Sequence, residues 1–188
     1  MAQNLKELLI VDLELTCQKQ KSDDPAFINE IIEIGICRLN LKTLELSEPE
    51  GILVKPLKSY LTPFCTDLTS ITQEMLDQEG KTYNEAVNYI VQKYDSRDKG
   101  WASWGIDDVL CLEKNDKLYK NPFPLFSHHH TNIKHQYSVL FNHSKEFGLS
   151  RALELSKITP QGKHHRGMHD AYNTAQLWQA VLKQFRKV

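Results

Sequence analysis

A chain of 188 residues and 21.8 kDa, 40% hydrophobic and 25% charged, has the balance of one ordinary globular domain, not of a disordered or fibrous protein. With 23 Lys and Arg against 24 Asp and Glu, its formal net charge of −1 excludes a surface that coats DNA through wholesale counterion release, though not a grip on a chain end. The apolar run in MAQNLKELLIVDLE is too short for a signal peptide, no stretch reaches the ~20 apolar residues of a membrane span, and four scattered cysteines without a C-x-x-C fit a reducing, cytoplasmic setting.

Leu8 to Leu15 opens as a continuous aliphatic run, the pattern of a strand buried on both faces of an α/β sheet. Ile31–Cys37 and Ile52–Lys55 read as two more strands, with polar connections short enough for antiparallel neighbours. Capping boxes at Ser70–Gln73 and Thr82–Glu85 announce helices, the second carrying Ala86, Tyr89, Ile90 and Lys93 at helical spacing. Gly100–Trp104 reads as a fourth strand ending at Gly105, followed by a helix from about Asp108, and Thr131–Ile133 as a short fifth. Ala171, Thr174, Ala175, Trp178, Val181, Leu182 and Phe185 then mark one face of a final amphipathic helix, whose end carries Lys183, Arg186 and Lys187. The order βββαβαβα predicts an α/β fold, a mixed sheet flanked by helices.

Acids stand where a core should be. Asp12 and Glu14 share one face of the first strand, about 6.5–7 Å apart at the backbone. Two ionised carboxylates there are costly unless a divalent cation offsets them; alternatively the strand ends at Val11 and both are solvated. Asp107 and Asp108 follow the fourth strand, where open α/β sheets place their ligands. Asp170 sits in the first turn of the last helix, a position that favours an acid by dipole alone, and His165 lies on the loop before it. His128–His130 read as an exposed loop, since consecutive residues converge poorly on one ion.

Taken in order, Asp12-x-Glu14, Gly105-x-x-Asp108 and His165-x-x-x-x-Asp170 resemble the DEDDh 3′–5′ exonuclease superfamily, which has a ribonuclease H-like fold. The likeness continues through Glu30–Gly35, Leu61–Cys65, Leu68–Gln73, Ser103–Gly105 and Gly162–Gly167, so it spans nearly the whole chain. Phe64-Cys65-x-x-Leu68-Thr69-x-Ile71-Thr72-Gln73 looks most like the histone-mRNA 3′ exonuclease subgroup and its small bacterial relatives. Two positions depart from the pattern: His169 precedes the last acid where relatives often carry Asp, and Asp107 stands where they often carry an aromatic. Asp108 is taken over Asp107 because it keeps the Gly-x-x-Asp spacing; Trp104 is the candidate replacement for the missing stacking ring.

The resemblance implies a ribonuclease H-like fold with a central five-stranded sheet, and one exonuclease domain over residues 1–188. It implies that Asp12, Glu14, Asp108 and Asp170 hold two divalent cations, Mg²⁺ or Mn²⁺, and that His165 is the general base, with Glu14 also in the catalytic set. Leu13 and Leu15 would meet the terminal nucleotide, as would Phe64 unless it is a core aromatic; His164 and Arg166 would help hold the backbone. The expected substrate is the 3′ end of single-stranded nucleic acid, RNA before DNA, with nucleoside 5′-monophosphate as product and no membrane partner. Alternatives are an oligoribonuclease, a DNA-trimming exonuclease of the same superfamily, or a catalytically silent nucleic-acid-binding regulator.

Overall fold

The N-terminal aliphatic run becomes the middle of a sheet. In this computed structural model, which describes residues 6–20 and 23–186, β1 (Glu7–Leu15) pairs antiparallel with β2 (Ile31–Asn40) and parallel with β4 (Gly100–Ser103). β3 (Glu50–Leu53) adds antiparallel outside β2, and β5 (His130–Asn132) adds parallel outside β4. The order β3-β2-β1-β4-β5 is the expected mixed five-stranded sheet.

Period-two alternation sorts the strands between two cores. Leu9, Val11, Leu13, Ile34 and Ile36 pack on α3 (Tyr83–Tyr94) and α4 (Asp107–Leu118) through Ala86, Val87, Ile90 and Leu112. Leu8, Ile10, Cys37 and Leu39 pack on α5 (Ile133–Leu140), α6 (Leu149–Leu155) and α7 (Gly167–Arg186) through Tyr137, Ala152, Ala175 and Trp178. By the same parity Asp12 and Glu14 extend the Leu8–Ile10 row, beneath the start of α7. A smaller cluster of Ile32, Leu53, Cys65, Ile71 and Leu76 seats α1 (Pro63–Thr69) and α2 (Gln73–Glu79).

Several boundaries differ from expectation for identifiable reasons. The cap of α2 is Thr72, whose side chain accepts from Met75 N–H; Ser70 instead closes α1 in a left-handed conformation (φ 62°). The Thr82–Glu85 capping box is present, but α3 buries Tyr83, Ala86, Val87, Ile90 and Tyr94, leaving Tyr89 and Lys93 to hydrogen-bond Glu50. Helices α1, α5 and α6 have 7, 8 and 7 residues, too short for a helical period to show. Lys183 and Arg186 lie in the last turn of α7, whereas Lys187 falls outside the described residues. Among the described residues no helix is long and apolar enough to cross a membrane.

Candidate active site

The end of β1 is where the sheet runs out and the acids gather. Asp12 pairs with Gly35 and Glu14 with Glu33, after which a register shift between Glu14 and Leu15 ends regular pairing. The first turn of α7 then brings Asp170 over them. That approach depends on glycine: a Cβ on Gly35 would lie 2.0 Å from the Gly167 carbonyl group. Asp12, Glu14 and Asp170 consequently offer ligand oxygens within 4.8 Å of one another. Asp108 stands outside that triplet but faces it, its Oδ1 accepting the Leu13 N–H at 3.1 Å. Its neighbour Asp107 is exposed at the start of α4.

Charge makes this cluster unstable alone. Desolvation lifts the Asp12 carboxyl well above its ordinary range, and Asp108, Glu14 and Asp170 push it further. Glu14, only 8% exposed, is raised to about 8 by burial and then by Asp170 and Glu33. Burial also lifts Asp108 to about 6, against hydrogen bonds from Ser103 and the Leu13 N–H that pull it down. Ser103 in turn has its Oγ 2.9 Å from His130 Nε2. An oxygen-only set in which Asp12, Glu14 and Asp108 resist ionising side by side is the donor set of a hard divalent cation, so these residues fit the ions the resemblance implies.

The histidine loop is held from both ends. His165 adopts φ 61°, and its N–H donates to Asp170 Oδ2 at 2.9 Å. Burial and the adjacent His164 keep its imidazole below the ordinary histidine range, though Asp170 pulls the other way. Next to it, Arg166 makes a two-pronged contact with Glu33, Nε to Oε2 and Nη2 to Oε1, both 3.1 Å. Glu33 is wholly buried and also accepts the Gly167 N–H at 2.8 Å. Arg166 is therefore engaged with the sheet, contrary to the expectation that it holds substrate backbone. The clue was available: Glu33 interrupts an aliphatic strand just as Asp12 and Glu14 do.

The residues expected to meet a nucleotide are placed unequally. Phe64 is 38% exposed at the start of α1, which excludes the core alternative. Leu15 is half-buried; its carbonyl accepts the Cys65 thiol at 3.4 Å, and it lines a cleft of about 450 Å³ with Ile28, Asn29 and Cys111. Leu13 packs into the core, 7% exposed, so what it presents at the strand end is backbone. Trp104 is half-buried: it packs on Tyr137 and donates its indole N–H to the Phe147 carbonyl at 3.1 Å. Of the three histidines read as a loop, His130 belongs to β5 and lies against Trp101, ring centroids 4.3 Å apart.

Known proteins share this fold. Human 3′-5′ exoribonuclease 1 is 26% identical over 187 residues, covering 94% of this chain and 52% of its own length. ERI1 exoribonuclease 2 of Xenopus laevis is 29% identical, covering 90% and 27%. The chain thus spans about half, or less, of the curated relatives it matches. Among solved structures, the nuclease domain of 3′hExo, a DEDDh family member bound to rAMP, superposes with a TM-score of 0.86 at 25% identity, over 96% of this chain and 94% of that one. A 3′-exonuclease recognising the histone mRNA stem-loop gives 0.82 at 25%, over 97% and 84%. Residues 9–178 match the RNase T family model, described as Exonuclease. With its sheet order and the acids gathered at the end of β1, the chain belongs to the DEDDh exonuclease superfamily and has its ribonuclease H-like fold.

Proposed function

We propose that this chain is one catalytic domain that hydrolyses single-stranded nucleic acid from the 3′ end, RNA in preference to DNA, releasing nucleoside 5′-monophosphates. The observation that carries the reading is the meeting of Asp12, Glu14 and Asp170 within 4.8 Å, with Asp108 facing them and His165 tied to Asp170. Two divalent cations, Mg²⁺ or Mn²⁺, held by these four acids would offset the charge of the scissile phosphate and of the leaving 3′-oxygen. The chain's own residues do the rest. Asp12, at the end of the central strand, would help hold both ions. His165, whose imidazole burial and His164 hold below the ordinary histidine range, accepts the proton of the attacking water. Asp170 fixes the loop that carries that imidazole, and Glu33 with Arg166 fixes the same loop to β2. Leu15, which lines the cleft beside Ile28 and Asn29, backbone at Leu13 and the exposed ring of Phe64 would meet the terminal nucleotide, contacts that read no sequence. The RNA preference is supported by the rAMP bound to 3′hExo and by the histone mRNA stem-loop recognised by the related 3′-exonuclease.

The test is a digest of 5′-labelled single-stranded RNA in Mg²⁺ or Mn²⁺, alongside matched DNA and a dinucleotide. A ladder of single-nucleotide shortening that EDTA abolishes is expected, faster on RNA than DNA. Turnover that survives chelation, or binding without any shortening, overturns the reading. Preference for the dinucleotide would make the enzyme an oligoribonuclease.

A further inference from the structure

Next to the oxygen-only triplet lies a second group of possible ligands with different chemistry. His164, His165 and Asp170 also present ligand atoms within 4.8 Å of one another. Successive side chains normally diverge, but the left-handed φ of 61° at His165 turns the loop so that the two imidazoles lie ring on ring, centroids 4.0 Å apart and 29° from parallel. His164 Nδ1 stands 2.9 and 3.1 Å from the two oxygens of Asp170. The Asp170 side chain is only 6% exposed and is held by the His165 N–H, whereas the His164 side chain is 52% exposed and opens the group to solvent.

Two imidazoles and one carboxylate are a donor set for Zn²⁺ or a similar borderline ion, not for Mg²⁺. We propose that His164, His165 and Asp170 form an inhibitory site for a borderline transition-metal ion of the Zn²⁺ kind. Asp170 is common to both groups, so an ion seated here takes one acid from the hydrolytic set. Neutral imidazole has a single lone pair; once that pair is donated to a metal, His165 has none left to accept a proton. Binding at this site is independent of the function proposed above; only the inhibition rests on it.

Co²⁺ titrated into the metal-free protein, without Mg²⁺ or nucleic acid, reads the site directly, since low-coordinate Co²⁺ bound to nitrogen absorbs strongly in the visible. The absorption should appear in the wild type and in Asp12→Asn, and be displaced by Zn²⁺. His164→Asn, an exposed substitution whose folding circular dichroism verifies, should weaken Co²⁺ binding about tenfold or more, the scale of losing even an indirect partner of a metal site. Unchanged affinity in His164→Asn, or absorption lost in Asp12→Asn, would place the ion among the carboxylates and overturn the site. In a Mg²⁺-supported RNA digest, half-inhibition of His164→Asn should need about ten times more Zn²⁺ than the wild type. Zn²⁺ that binds but leaves digestion unaffected overturns the inhibitory half alone. A protein that binds Co²⁺ as described yet never digests RNA keeps the site and removes the nuclease reading.

Discussion

Asp12 is a residue the fold would be better off without. It sits at the end of the central strand with its carboxyl driven upward by burial and by Asp108, Glu14 and Asp170. Asp12→Asn removes one of the crowded charges while keeping the side chain's shape. The expected result is a metal-free melting temperature equal to or above the wild type, together with at least about a hundredfold loss of RNA hydrolysis. A matching fall in both would make Asp12 a structural residue. His165 separates along another line. His165→Asn should lower kcat about 10²–10⁴-fold while Mn²⁺ affinity, measured calorimetrically, stays near the wild-type value. Its lowered pKa places the loss of wild-type activity on the acid side, below the ordinary histidine range, and the variant's pH profile should lack that limb.

At the scale of elements, the site depends on how closely α7 approaches β2. Gly35 and Gly167 let the helix start touch the strand, and an added Cβ at Gly35 meets backbone, which cannot rotate away. Gly35→Ala should destabilise the protein by about 1–3 kcal/mol and weaken Mn²⁺ binding, because Asp170 moves with the helix. Normal metal affinity in that variant would show the approach to be mere packing. The Glu33–Arg166 pair secures the same junction with a wholly buried Glu33 side chain and an Arg166 side chain 18% exposed. Arg166→Met leaves Glu33 charged and unpaired and should cost about 3–5 kcal/mol by denaturant unfolding. The double variant Glu33→Gln/Arg166→Met should regain much of that loss, since what destabilises the single variant is the orphaned charge.

Across the whole molecule, the acids couple folding to pH and to metal. A carboxyl whose folded pKa exceeds its unfolded value holds its proton more tightly when folded. For Glu14 the contribution is complete below about pH 4.5 and is lost as pH rises toward about 8; for Asp108 the window runs from about 3.8 to about 6. The metal-free protein should therefore melt at lower temperature at pH 8 than at pH 5, by an amount on the order of a few kcal/mol in stability. Saturating Mg²⁺ or Mn²⁺ should raise the melting temperature more at pH 8, where the ion has fewer protons to displace. An equal rise at both pH values would mean that these carboxyls do not take up the ion.

Much of this was legible in one dimension, because a strand's alternation and a motif's order are local properties. The aliphatic run of β1, the acids that interrupt it, the Thr82–Glu85 cap and the apolar face of α7 are each written within a few residues of chain. The sequence by itself therefore determined the sheet, its longer flanking helices and the acids that interrupt its core pattern. Only the tertiary structure decided which side chains meet. Arg166 turns to Glu33, 133 residues away in sequence, and Trp104 to the carbonyl of Phe147. His164 reaches Asp170 because a left-handed residue lies between them. Such contacts depend on how separate elements cross in space, and no short-range periodicity encodes a crossing.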